Sequence, residues 1–220
     1  MTKDFWQERW EKDEIAFHMN EVNPMLIKHF SALELKRQKR IFIPLCGKTL
    51  DIKWLLEKDY EIVGIELNED AIKSLFLELE LDFTVTNIEH FQVYRASNIK
   101  IFIGDFFKLS RDVLGDIDYT YDRAALVALP KNMRYLYSQH LLNITKKASQ
   151  LLISYEYNQN IMKGPPFSVD RQEIDEYYKS SYTIRLLDNN ENIPSGLKRK
   201  SKANEKVWLL QNNQNEKGKL

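Results

Sequence analysis

The chain is poor in the residues that carry whole classes of chemistry. Of 220 residues only Cys46 is a cysteine, so no intramolecular disulfide and no Cys-x-x-Cys motif can form, and a reducing, cytoplasmic setting is expected. The histidines His18, His29, His90 and His140 are scattered without metal-ligand spacing, and no metal is expected. With seven glycines in all, the chain contains no P-loop, no G-x-S-x-G elbow and no three-glycine dinucleotide fingerprint. A hydrolase or nucleotide-triphosphatase reading therefore has no motif to rest on. Neither sign of charge prevails: 32 basic and 32 acidic residues cancel, so no global field favours nucleic acid or an anionic membrane, and neither is expected as a partner. No apolar run approaches the ~18 residues of a membrane span. The first residues, MTKDFWQERWEKDE, lack the apolar centre of a signal peptide.

What is present has the balance of a soluble globular domain, 43% hydrophobic and 29% charged, and residues 1–220 are expected to form one domain. Its organising stretch is Arg40 to Glu66, RIFIPLCGKTLDIKWLLEKDYEIVGIE. Arg40 to Leu45 is a short apolar run suited to a buried parallel strand. Gly47 permits a sharp turn and close approach of a ligand to the backbone. Thr49 is the expected N-cap of a helix carrying Ile52, Trp54, Leu55 and Leu56, and Glu61 to Leu67 returns as a second strand. Glu66 stands nineteen positions after Gly47, close to the spacing at which an acidic residue meets the ribose of a bound nucleoside. Because the glycines that cradle a pyrophosphate are missing, NAD and FAD are disfavoured. S-adenosylmethionine, with a ribose and no phosphate, suits the pattern better. A plain βαβ unit, with Gly47 a turn and Glu66 a solvated strand end, remains the alternative on this stretch alone.

Around that unit, Trp6 and Trp10 lie four apart in an N-terminal arm (residues 1–20) that either anchors on the core or covers a ligand. Asn23-Pro24 opens a helix through Leu35. Asn68 caps a helix from Glu69 to about Leu79. Asp82 to Phe107 is expected to form a hairpin and then a third core strand ending in Gly104-Asp105-Phe106-Phe107, where Asp105 either serves an adenine amino group or caps the helix Leu109 to Leu114. A fourth strand, Ile117 to Tyr121, leads to Asp122-Arg123. Pro130 opens a long helix with Met133, Leu136, Tyr137, Leu141, Leu142 and Ile144 inward. Leu151 to Tyr157 is the fifth strand, and Gly164-Pro165-Pro166-Phe167 is a stiff loop that presents Phe167 to a ligand or turns the chain. Asp170 with Glu173 resembles a capping box. Tyr182 to Leu187 and Val207 to Gln211 close the sheet as an antiparallel pair, separated by a polar loop from Gly196 to Lys206. Residues 212–220 are expected to fray.

Taken together, FWQERW with IAFH, IFIPLCGKTLDIKWL, VGIE, GDFF, YDRAALVALP and GPPFSV resemble, in order and register from Phe5 to Val169, the thiopurine S-methyltransferase family, its bacterial members in particular. The resemblance implies a three-layer Rossmann-like class I methyltransferase fold: a mostly parallel seven-stranded sheet with an antiparallel last strand and helices on both faces. It implies S-adenosylmethionine as methyl donor, with Trp10 covering it, Leu45 at the first turn, Glu66 on the ribose hydroxyls, Asp105 and Phe106 framing the adenine, and Arg123 at the boundary between cofactor and substrate. Phe17, with His18 beside it, lines the substrate side. The implied reaction moves a methyl group to the sulfur of thiopurines or similar aromatic thiols by in-line displacement, in a monomer with a small-molecule acceptor, and no catalytic base is assigned. Selenium or tellurium oxyanions, other small thiols, or a non-catalytic nucleoside-binding module are the alternatives.

Overall fold

In the computed structural model, which describes residues 3–12, 14–15, 17–35, 38–191 and 202–212, nine strands form one sheet. They are β1 (Arg40–Pro44), β2 (Glu61–Glu66), β3 (Thr84–Ile88), β4 (Phe91–Ala96), β5 (Ile99–Ile103), β6 (Tyr119–Arg123), β7 (Ser149–Glu156), β8 (Tyr182–Asn190) and β9 (Asn204–Asn212), in the order β3-β4-β5-β2-β1-β6-β7-β9-β8. β5, β2, β1, β6 and β7 run parallel; β9 is antiparallel to both β7 and β8. The expected seven strands are therefore all present, and the hairpin β3–β4 adds two more by pairing antiparallel onto the free side of β5.

The parallel strands are apolar throughout because both faces are covered. Odd and even positions divide cleanly between two cores. Phe42, Val63, Leu152, Trp208 and Leu210 face one side, where helices α5 (Arg111–Leu114), α6 (Lys131–Ile144) and α7 (Arg171–Tyr178) supply Leu114, Tyr137, Leu141, Ile174 and Tyr178. Ile41, Ile43, Ile62, Ile153, Val207 and Leu209 face the other. There α2 (Pro24–His29), α3 (Asp51–Leu56) and α4 (Glu69–Glu78) bring Leu26, Ile52, Leu55, Ile72 and Phe76. Helix α1 (Lys3–Glu11) belongs to the N-terminal arm.

Local signals held where a side chain reaches a backbone donor. Asn23 accepts from Met25 N at 2.8 Å, Asn68 from Ala71 N at 2.8 Å and Asp170 from Glu173 N at 2.8 Å. Several expectations need correction. α2 stops at His29 and tightens into a 3-10 turn, Phe30–Leu33. Leu50, not Thr49, occupies the N-cap position of α3, and the Thr49 hydroxyl accepts from Asp51 N at 3.3 Å. Glu173 does not close a capping box: its carboxylate is taken by Arg134 Nε at 2.6 Å and by the Tyr177 hydroxyl. Leu136 is 59% exposed rather than inward, because α6 has one packed face and Leu136 lies off it. β9 begins at Asn204, so Glu205 and Lys206, read as loop for their charge, are strand residues. The expected frayed tail lies outside the described residues, apart from Asn212 at the end of β9.

Candidate active site

All five parallel strands end at one edge, and the residues named from sequence collect there. Across the adjoining strands β5, β2, β1 and β6 come Asp105, Glu66, Leu45 and Arg123 in that spatial order, spanning roughly 14 Å at ordinary strand spacing. The β1 turn is built from left-handed backbone, Leu45 at φ 47° and Gly47 at φ 52°, conformations that glycine adopts without strain and other residues adopt at a cost. Glu66 locks this turn: its carboxylate accepts from Gly47 N at 2.9 Å, Leu67 N at 2.7 Å and Asn68 N at 2.9 Å. Burial pushes the Glu66 carboxyl above its ordinary pKa, against the pull of those three donors. Glu66 is thus a buried residue that shapes the first turn, not a solvated strand end.

Trp10 lies over the same turn, so that a Cβ on Gly47 would come within 3.3 Å of its Cζ2. Its ring packs edge-on against Phe17, centroids 5.5 Å apart, and Trp6 meets Phe17 at 5.9 Å. His18 follows, half-buried, its backbone N–H donating to the Ile15 carbonyl at 2.7 Å. Trp6, Trp10 and Phe17 therefore form one aromatic cluster next to the β1 turn, with His18 following Phe17 in the chain. On the far side of Gly64, the Cys46 thiol is 6% exposed, and burial first, then Glu66, raises its pKa well above the usual thiol value. It is held as a neutral thiol.

Asp105 is exposed at the end of β5 and accepts from Phe107 N at 3.0 Å, capping the short turn Phe106–Lys108. Helix α5, whose capping is the alternative role for Asp105, is capped by Ser110 instead. Phe106 is turned inward: it is 3% exposed and packs on Tyr137 at 4.9 Å, so its ring is a core residue and only its backbone borders the edge. Phe107, 37% exposed, is the open aromatic here. Phe167 is fixed by its N–H on Val127 O at 2.6 Å.

At the end of β6 the two charged neighbours part company. Asp122 is fully buried, accepting from Leu126 N at 3.1 Å and the Tyr137 hydroxyl at 2.8 Å, and burial lifts its pKa to about 6. Arg123 points to the opposite face. Its Nε is buried and has no hydrogen-bond partner among the described residues. Burial opposes its charge, but the phenols of Tyr155 and Tyr121 and the carboxylates of Asp51 and Glu205 outweigh that and keep the guanidinium firmly protonated. This polar cluster was not singled out from sequence. In β9 Glu205 alternates with Val207 and Leu209 on one face, a pattern hidden by the charged residues around Glu205. A cleft of about 490 Å³ bordered by Arg40, Arg95 and Lys100 lies at the opposite end of the strands, away from these groups. Among the described residues no cluster of metal-binding side chains occurs, and no helix is long and apolar enough to cross a membrane.

The arrangement matches known proteins at two levels. The solved structure of Burkholderia thailandensis 1,6-didemethyltoxoflavin-N1-methyltransferase, with bound 1,6-didemethyltoxoflavin and S-adenosylhomocysteine, superposes with a TM-score of 0.65 at 12% identity, covering 96% of this chain and 86% of that one. That likeness establishes the methyltransferase fold. The thiopurine S-methyltransferase of Teredinibacter turnerae is 42% identical over 215 residues, 98% of this chain and 100% of the relative. That of Acinetobacter baylyi is 46% identical over 194 residues, 85% of this chain and 88% of the relative. The family model Thiopurine S-methyltransferase (TPMT) matches residues 1–213. On that breadth of agreement, the chain belongs to the thiopurine S-methyltransferase family.

Proposed function

We propose that the protein methylates the sulfur of thiopurines or comparable aromatic thiols in their anionic form. Family membership makes it an S-adenosylmethionine-dependent methyltransferase; the choice of acceptor is our reading. The residues at the strand ends fit that cofactor. Gly47 leaves a surface that a Cβ would fill, Glu66 offers a fixed carboxylate for ribose hydroxyls, and Asp105 with the backbone of Phe106 borders the place for the adenine. Trp10 covers the turn. The cofactor, when bound, would supply an electrophilic methyl on a sulfonium: the acceptor sulfur would bond to that carbon in line as the bond from the carbon to the cofactor sulfur breaks, leaving a neutral thioether.

The observation that carries the acceptor reading is Arg123, a charged guanidinium at the site edge whose Nε lacks a partner among the described residues. A half-buried cation of this kind favours the ionised form of an acidic thiol, which then needs no base to attack. The aromatic wall of Trp10 and Phe17 excludes water and holds a flat ring, so that positioning and desolvation contribute to the rate. Phe17 and His18 form the acceptor side of this wall. The protein acts as a monomer on a small-molecule acceptor.

Calorimetric titration with S-adenosylhomocysteine, followed by methyl-transfer assays on a panel of aromatic thiols, aliphatic thiols and selenium or tellurium oxyanions, tests the reading. Micromolar affinity, about −8 kcal/mol, with turnover fastest on the aromatic thiols is the expected result. Tight binding with faster turnover on oxyanions would overturn the acceptor assignment while leaving the cofactor in place.

A further inference from the structure

Arg123 is not an isolated cation. On the same face of the sheet the neighbouring strand β7 carries Tyr155, and β9 places Glu205 directly opposite Tyr155 in the antiparallel register. The Tyr155 hydroxyl donates to Glu205 Oε1 at 3.3 Å, and the side-chain amides of Asn190, from β8, and Asn23, ahead of α2, also bond that carboxyl. Glu205 is 5% exposed, and the groups that hydrogen-bond it are neutral. The other carboxylate near Arg123, Asp51, is more tightly committed: Asn23 N donates to it at 2.7 Å and the Tyr121 hydroxyl at 3.0 Å. The adjacent Lys206 belongs to the other face, where it pairs with Glu156.

One guanidinium thus shares its face of the sheet with two buried carboxyls, which act on it electrostatically without a direct ion pair among the described residues. With both ionised, the cluster carries one net negative charge before any anion arrives, and an anionic acceptor adds a second inside a poorly screened site. Burial already pushes the Glu205 carboxyl towards its neutral form. We propose that Glu205 is the positioning residue for Arg123: it carries the countercharge while no anionic acceptor is present, and takes a proton from solvent when one binds. Acceptor binding and proton uptake are then one event, and the positive charge of Arg123 is left to balance the acceptor. The device deepens the proposed S-methylation and rests on it.

The test uses the whole chain with S-adenosylhomocysteine in place and 4-nitrothiophenolate, an acceptor that stays ionised at neutral pH, titrated calorimetrically from about pH 6 to pH 9 in buffers of different ionisation enthalpy. Uptake rising towards one proton per bound anion at the alkaline end supports the proposal; binding without uptake across that range overturns it. In steady-state assays with the methyl donor, Glu205→Gln should lower the ratio of KM for 4-nitrothiophenolate to KM for an N,N′-dimethylated heterocyclic thione, which has no proton to lose, about tenfold, equivalent to about 1.4 kcal/mol. An unchanged ratio overturns the proposal. The wild-type measurement decides the matter even if the variant folds poorly. Failure of the parent reading looks different: no methylated product from either acceptor.

Discussion

At the scale of single residues, chemistry and fold share the same atoms. Glu66 accepts three backbone N–H groups, so its removal strips both the proposed ribose contact and the lock on the β1 turn. Glu66→Ala is expected to weaken S-adenosylhomocysteine binding ten- to a hundredfold, about 1.4 to 2.7 kcal/mol, by calorimetry. Asp122 governs a pH effect. Its folded pKa of about 6 lies above the ordinary carboxylate value, so between about pH 4 and pH 6 the folded state binds more protons than the unfolded one. Its contribution to stability is therefore present below that window and falls as pH rises through it. Comparing denaturant unfolding at the two ends, Asp122→Asn should lose about 1–3 kcal/mol of that pH-dependent difference. Glu66 was legible because one glycine and one acid sit at a meaningful spacing. Glu205 was not, because charge alone does not tell a solvated loop from a strand whose partner supplies phenols and amides.

At the scale of elements, the N-terminal arm carries the proposed cover of the cofactor. Trp6 and Trp10 pack on Phe17 within the arm itself, and the approach of Trp10 to Gly47 brings the arm onto the β1 turn. Limited proteolysis before Phe17 should accordingly slow several-fold when S-adenosylhomocysteine is added; equal cleavage rates would remove the lid role. A second tether joins α2 to β8, where Asp188 pairs with Lys28 Nζ at 2.6 Å and His29 Nε2 at 2.7 Å. Hydrogen bonds from Lys28, then His29, hold its carboxyl down at about 2. Its contribution is present above the ordinary carboxylate pKa and is lost as pH falls through about 2, so Asp188→Asn should flatten the acid limb of the stability profile. Caps such as Asn68 and strands such as β2 were readable because their signals are local. The inward face of α6 was misjudged at Leu136, since helical periodicity leaves residues at the margin of the packed stripe undecided.

At the scale of the whole molecule, the alternation of strands and helices was enough to give the parallel core, and the two successive final strands gave its antiparallel close. Spatial order was not written locally: that β9 inserts between β7 and β8 depends on long-range pairing. Because β9 is apolar on both faces, with Trp208 on one core and Val207 and Leu209 on the other, it requires a central position, whereas β8 exposes Leu186 and charged residues and tolerates the rim. The same insertion is what carries Glu205 to Tyr155.

Cys46 gives this architecture an internal clock. The thiol is shut between the β1 turn and Gly64 and kept protonated, so an alkylating reagent can reach it only in the fraction of time that the turn and the strands beneath it are apart. At low reagent concentration the labelling rate reports the equilibrium of that opening. At saturating reagent it reports the opening rate itself. The one sulfhydryl of this methyltransferase is therefore a natural readout of how often the strand ends around the β1 turn come undone.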